Sequence, residues 1–175
     1  MEVKFNLESN VNYIDIINSF KNLIQQLKQE NNLVIGGTTA LMFHGLICRS
    51  PSDLDIIIYK PTERQKNIIT ALLDFDSVCN YVTDIRDRRA FKFNKEGYVV
   101  DILLEKESHP NMDDLLLKSI DSNYYRIQSV QEIVKAKSKY VLHDNEGLSK
   151  ECLYVREKDL KDFLELKNNN FNISR

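Results

Sequence analysis

The sequence lacks the features that mark secreted, membrane-spanning and strongly charged proteins. Its three cysteines, Cys48, Cys79 and Cys152, are far apart and odd in number, which argues against a disulfide framework or a zinc site. No apolar run approaches the roughly 18 residues of a membrane-spanning helix, and no apolar leader with a cleavage site opens the chain. The 24 Lys and Arg nearly balance the 26 Asp and Glu, so the composition does not indicate a broad nucleic-acid surface. We therefore expect a cytoplasmic protein without a membrane segment.

The glycine pair in the first third of the chain predicts a tight turn between a strand and a helix. The apolar residues 33–35 predict a buried strand, which runs directly into Gly36 and Gly37. Adjacent glycines let a backbone turn sharply and approach a ligand closely. Thr38 or Thr39 can then cap a helix whose first amides favour an anion. The stretch therefore predicts a phosphate cradle.

Two carboxylates follow this helix at the start of an apolar strand. Asp53 and Asp55 are separated by one residue, so on a strand both side chains point to one face while Leu54 points to the other. Two like charges held side by side are costly unless a cation lies between them. Because Mg²⁺ is bound by a few carboxylates together with substrate phosphates, the pair predicts a metal site.

A third carboxylate interrupts a later apolar strand. Residues 98–104 predict a strand with Asp101 at its centre, joined to the strand before it by a tight hairpin at residues 94–97. A charged residue in an otherwise apolar run needs a partner or a function. Asp101 is thus a candidate for the same site as Asp53 and Asp55.

Together these motifs resemble the nucleotidyltransferase superfamily of polymerase-beta-like enzymes. The glycine pair, the carboxylate pair and the later single Asp match its signature. His44-Gly45 at the end of the helix and residues 49–55 leading into the strand are similar to AbiEii-like toxins and minimal nucleotidyltransferases. The resemblance implies transfer of a nucleoside monophosphate from a nucleoside triphosphate to an acceptor hydroxyl, with two Mg²⁺ ions, or Mn²⁺ in their place.

The resemblance also assigns roles to individual residues. The residues implied to bind metal and to be catalytic are Asp53, Asp55 and Asp101. Those implied to contact nucleotide are Gly36, Gly37, Thr38, Ser52 and Lys158. The chain departs from the commoner pattern in having Gly37 where many members carry Ser, so Thr38 or Thr39 must supply the missing hydroxyl.

The order of periodic segments predicts an α+β fold. We expect a mixed sheet of about four or five strands flanked by helices, with a nucleotidyltransferase core at residues 1–108. A small helical appendage at residues 109–175 should pack on that core, with helices at 112–120, from Ser129 to about residue 142, and at 156–167. Ser129 and Glu132 have the spacing of a capping box.

Several functions remain open from the sequence. The acceptor could be a transfer RNA, a protein or a small molecule, and the resemblance to toxins implies a cognate antitoxin protein. One alternative is a catalytically silent binding protein that retains the fold. Another is an adenylyltransferase that modifies a small molecule such as an antibiotic.

Overall fold

A computed structural model of the chain describes residues 15, 17–46, 51, 53–73, 79–83, 88–95, 98–120, 122–141, 161 and 166. The helices in this part of the chain are α1 (Lys21–Leu27), α2 (Gly37–Phe43), α3 (Glu63–Leu73) and α4 (Val130–Val141). The strands are β1 (Leu33–Ile35), β2 (Leu54–Tyr59), β3 (Cys79–Thr83), β4 (Arg88–Lys95), β5 (Tyr98–Glu105), β6 (Leu116–Ile120) and β7 (Asn123–Ile127). Single 3₁₀ turns occur at Lys28–Glu30 and Met112–Asp114.

The described strands form one mixed sheet in the order β3-β4-β5-β2-β1-β7-β6. Strand β2 pairs parallel with β5 and antiparallel with β1, and β1 pairs parallel with β7. The β3-β4-β5 meander and the β6-β7 hairpin are antiparallel. The predicted α+β class is confirmed, but the sheet has seven strands rather than four or five.

The hydrophobic core lies on one face of the sheet, against the helices. Strand β2 alternates between buried Leu54, Ile56 and Ile58, which belong to the core cluster, and residues that point to the opposite face. Ile24 of α1, Leu41, Ile69 and Ile133 of the other helices join this cluster, and all four are at most 2% exposed. We call the opposite face of the sheet, which carries Asp55 and Asp101, the carboxylate face.

The capping box predicted before α4 is present. Ser129 Oγ accepts a hydrogen bond from the Glu132 amide at 3.3 Å, and Glu132 Oε2 accepts one from the Ser129 amide at 3.1 Å. Thr62 and Gln65 make the same reciprocal pair at the start of α3, at 3.3 and 3.0 Å. These bonds satisfy amides that the first turn of a helix leaves without partners.

The helix predicted at residues 112–120 is wrong. Residues 112–114 form one 3₁₀ turn, and residues 116–120 are strand β6, paired antiparallel with β7 from Leu116↔Ile127 to Ile120↔Asn123. Apolar residues at 115–117 and 120 suit a helix by spacing. These residues form a strand because β7 supplies hydrogen-bond partners along the whole length of β6. The spacing of the apolar residues does not show this pairing.

Residues 116–120 and 123–127 therefore belong to the sheet, although they fall within the segment expected to be a helical appendage. The division into a core at 1–108 and an appendage at 109–175 stays a prediction. The helix predicted at 156–167 lies outside the described residues except at 161 and 166. None of the described helices combines the length and the apolar character needed to cross a membrane.

Gln65 connects three elements at the end of the sheet away from the carboxylates. It is fully buried, its Nε2 donates to the Leu27 carbonyl and to Asn32 Oδ1 at 2.7 Å each, and its Oε1 accepts from Asn32 Nδ2 at 2.9 Å. This network joins the end of α1, the start of β1 and the first turn of α3.

Gln65→Leu should lower the free energy of unfolding by about 2–4 kcal/mol, because several buried polar groups lose their partner at once. Urea unfolding followed by circular dichroism measures this loss. Asn67→Leu, at an exposed position of the same helix, is the control and should change stability by less than about 0.5 kcal/mol. Equal effects of the two substitutions would contradict a structural role for the network.

Candidate active site

The three predicted carboxylates come from two neighbouring strands. Asp55 of β2 lies directly beside Asp101 of β5 in the parallel register, and Asp53 immediately precedes β2. Leu54, between Asp53 and Asp55, is fully buried in the core on the other face, as the alternation predicts. Because side chains at paired positions point to one face, the register brings Asp101 to the pair that is distant from it in sequence.

Lys92 is a fourth charged residue in this row, and the sequence analysis did not identify it. It pairs with Asp101 across the β4-β5 hairpin, so Lys92, Asp101 and Asp55 occupy three adjacent strands. Lys92 Nζ lies 3.5 Å from Asp101 Oδ2. The lysine side chain is 40% exposed and the aspartate side chain 13%, so the ion pair is open to solvent mainly from the lysine side.

The environment of Asp101 favours its neutral form. Burial raises the pKa of Asp101 to about 6, Lys92 opposes this shift, and repulsion by Asp53 adds to it. Asp101 Oδ1 is buried and has no hydrogen-bond partner. Two ionised carboxylates cannot hydrogen-bond to each other, so a proton or a cation between Asp53 and Asp101 would relieve their repulsion.

The donor set fits a hard divalent cation completed by substrate oxygens. Among the described residues, no three His, Cys, Asp or Glu side chains are grouped closely enough to hold a metal ion by themselves. Asp53 contacts Asp101, whereas the Asp55 carboxylate lies against the backbone of Gly37. Mg²⁺ is commonly bound by only one or two carboxylates together with waters and phosphates, so this arrangement is compatible with it.

The glycine pair lies directly beside Asp55. Gly37 has a φ of 61°, in the left-handed region, and a Cβ at this position would overlap the Asp55 carboxylate. The Gly36 amide donates to the Asp55 carbonyl at 2.9 Å. Gly37 is thus favoured both by its positive φ and by the close approach of the Asp55 carboxylate.

The predicted cap of α2 is wrong. The cap residue is Gly36, and Thr38 and Thr39 lie inside the helix, both buried. The Gly37 amide is instead satisfied by Gln128, whose Oε1 accepts its hydrogen bond at 3.2 Å. The amides proposed as a phosphate cradle therefore already have partners within the protein. Gln128 is a second site residue that the sequence analysis missed.

The other residues predicted to contact substrate have three different outcomes. Thr39 Oγ1, in α2, is buried and has no hydrogen-bond partner. His44 ends α2, and its Nε2 lies 2.9 Å from the Gln128 carbonyl, a structural contact. Ser52 and Lys158 lie outside the described residues, so their nucleotide contacts stay predictions.

Comparison with known proteins yields structural similarities only. No protein-family model and no curated protein matches the chain. The crystal structure of JHP933 from Helicobacter pylori is 18% identical with a TM-score of 0.46, over 88% of this chain and 66% of that one. An H. pylori protein proposed to be a nucleotidyltransferase is 19% identical with a TM-score of 0.48, over 88% and 68%. The chain spans about two thirds of either protein, and likeness at this level carries no functional argument.

Gly37→Ala should destabilise the protein by more than the usual cost of a left-handed residue, which is about 1–2 kcal/mol, because the new methyl group displaces Asp55. Gly45→Ala is the matched control, since Gly45 also has a positive φ, 73°, at the other end of α2. Thermal unfolding of the two variants measures the difference. Equal losses would show that Asp55 moves aside at no cost.

The raised pKa of Asp101 predicts a specific pH dependence of stability. The folded protein binds this proton more tightly than the unfolded chain, whose pKa is 3.8, so unfolding becomes easier as the pH rises from about 4 to about 6. The loss should reach up to about 3 kcal/mol in the absence of metal. Asp101→Asn cannot titrate and should lack this loss, so it should be more stable than wild type at neutral pH.

Urea unfolding in EDTA across this pH range tests the difference between the two proteins. Asp113→Asn, at an exposed aspartate, is the control and should follow the wild-type curve. Parallel curves for wild type and Asp101→Asn would contradict the shifted pKa.

Proposed function

We propose that the protein is a metal-dependent nucleotidyltransferase that uses Asp53, Asp55 and Asp101. The observation that carries the proposal is the contact between Asp53 and Asp101, beside Asp55, with a buried Asp101 oxygen that has no hydrogen-bond partner. Like charges held together with a buried unpaired oxygen cost stability, and groups with perturbed pKa values of this kind are concentrated at functional sites.

The three carboxylates would hold Mg²⁺ together with the triphosphate of the nucleotide. Bound Mg²⁺ would neutralise charge that develops on the phosphoryl oxygens as the acceptor attacks the α-phosphorus and pyrophosphate leaves. Asp101 has a pKa close to neutral and can orient the acceptor hydroxyl or accept its proton. Lys92 lies on the same face and would hold the Asp101 side chain in place.

For a glycine amide to bind phosphate, one hydrogen bond within the protein must first be broken. The Gly36 amide is engaged by the Asp55 carbonyl, so it is not a phosphate donor in this arrangement. The Gly37 amide is engaged by a side chain, which a ligand could displace at a smaller cost than a sheet contact. Thr38, Ser52 and Lys158 stay as proposed contacts to the nucleotide.

A catalytically silent member that only binds nucleotide or protein is the second candidate. It is favoured by the same glycine amides, which are satisfied without a ligand. Incubation with each labelled nucleoside triphosphate, Mg²⁺ and cell lysate separates the two, because transfer labels an RNA, protein or small-molecule fraction and binding alone labels none. Growth arrest on expression, relieved by a cognate antitoxin, would support the toxin role that the resemblance implies.

Asp53→Asn combined with Asp55→Asn should weaken binding of a nucleoside triphosphate in Mg²⁺ by at least about tenfold, because the variant keeps the shape of the site and loses the charge that attracts the ion. Calorimetric titration measures this affinity, and circular dichroism confirms that the variant is folded.

The control changes Asp113 and Asp114, both exposed, to Asn and removes the same charge elsewhere. It should bind like wild type. If the site variant also binds like wild type, the carboxylates are structural and the proposed function is wrong.

A further inference from the structure

Gln128 lies between β7 and α4 and contacts both ends of α2. Its side-chain Oε1 accepts from the Gly37 amide at 3.2 Å, at the start of the helix. Its backbone carbonyl lies 2.9 Å from His44 Nε2, at the end of the helix. Its own amide donates to the Ile35 carbonyl at 2.9 Å, which fixes Gln128 to the end of β1. A single residue thus connects β1 with the two ends of α2.

The side chain of Gln128 takes the place of a missing helix cap. The first amides of a helix lack partners within it, and a side chain at the cap position usually supplies one. In α2 the cap residue is Gly36, which has no side chain and makes no such bond. Gln128 supplies the acceptor from 91 positions further along the chain. Without this acceptor, the Gly37 amide would lose its partner.

The position of Gly37 in turn limits the position of Asp55. A Cβ on Gly37 would overlap the Asp55 carboxylate, so the glycine backbone and that carboxylate are in direct contact. A Cβ on Gly36 would lie only 2.8 Å from Gln128 Oε1, so the Gln128 side chain is packed against the same two residues. In a packed contact of this kind, a shift of the Gly37 backbone changes the space that Asp55 can occupy.

We propose that Gln128 is a positioning residue for the metal-binding site: by holding the Gly37 backbone, it fixes the Asp55 carboxylate beside Asp101, where a cation completed by substrate oxygens would bind. The identity of the ligand rests on the proposed function. The hydrogen bond that holds Gly37 is independent of that function. Gln128 itself has no role in the chemistry. Its action passes through Gly37 to Asp55.

Two substitutions separate the hydrogen bond from the volume of the side chain. Gln128→Met keeps the length and removes the oxygen acceptor, whereas Gln128→Glu keeps an acceptor at the same reach. Gln131→Met is the matched control, because Gln131 is exposed on the first turn of α4. All three proteins are compared with wild type after circular dichroism shows that they are folded.

The first measurement is hydrogen exchange of the Gly37 amide in metal-free protein by NMR. Gln128→Met should speed this exchange by at least about tenfold, because the amide loses its acceptor and opens to water. Gln128→Glu and Gln131→Met should leave it within a few fold of wild type. Unchanged exchange in Gln128→Met would overturn the proposal, because the bond would then not hold Gly37.

The second measurement is Mn²⁺ affinity by electron paramagnetic resonance. Gln128→Met should weaken it by about tenfold, as loss of a residue that orients a metal ligand typically does, and Gln128→Glu should restore most of it. Faster exchange with unchanged Mn²⁺ affinity, or equal losses in the Met and Glu variants, would overturn the positioning role. If wild type binds no Mn²⁺, the proposed metal-dependent function is wrong, and so is the role of Gln128 in metal binding. Faster exchange in Gln128→Met would then still show that the hydrogen bond holds Gly37, which separates the two failures.

Discussion

The contact between like charges on the carboxylate face is the constraint on which the other features of the site depend. Two carboxylates about 4 Å apart repel each other by about 1 kcal/mol in water and about 4 kcal/mol near a protein surface. Burial of one Leu or Ile side chain contributes about 1.5–3 kcal/mol. Leu54, Ile56 and Ile102 are fully buried on the opposite face of the same two strands. The core can therefore hold β2 and β5 in the register that brings Asp55 beside Asp101, despite the repulsion.

The glycine beside Asp55 is explained by contacts within the protein, without any ligand. Gly37 is needed because its φ is positive and the Asp55 carboxylate lies where its Cβ would be, whereas a Cβ on Gly36 would meet only the ends of the Gln128 and Ile57 side chains. In a nucleotide-binding motif, glycines are usually explained by the approach of a phosphate. Here, a contact within the protein explains Gly37, so the glycine pair alone does not distinguish an active enzyme from a silent one. Under the proposed function, the three carboxylates are the residues whose substitution would separate an active enzyme from a silent one.

Local patterns predicted the parts of the site that depend on neighbouring residues. The spacing of Asp53 and Asp55 gave their common face, and the apolar run around Asp101 gave its strand. Lys92 could have been found from the hairpin, because the observed pairing of Lys95 with Tyr98 places Lys92 opposite Asp101. The turn predicted at residues 94–97 shifts this pairing by two positions. Gln128 could not, because a contact with a residue 91 positions away decides it. Strand β6 was missed for a different reason: it forms a short hairpin with β7, and the apolar spacing of its residues also suits a helix.

Under the proposed function, the charges of the site would make a proton and a divalent cation alternatives there. Lys92 is the cation paired with Asp101 across the hairpin, and against three carboxylates it leaves two negative charges. Below a pH of about 6, Asp101 holds a proton and part of the repulsion disappears. At neutral pH the proton is lost, and the buried Asp101 oxygen that lacks a hydrogen-bond partner remains charged. Under the proposed function, a divalent cation completed by substrate oxygens would supply the two missing positive charges, since the carboxylates of the described residues are not grouped closely enough to hold it alone.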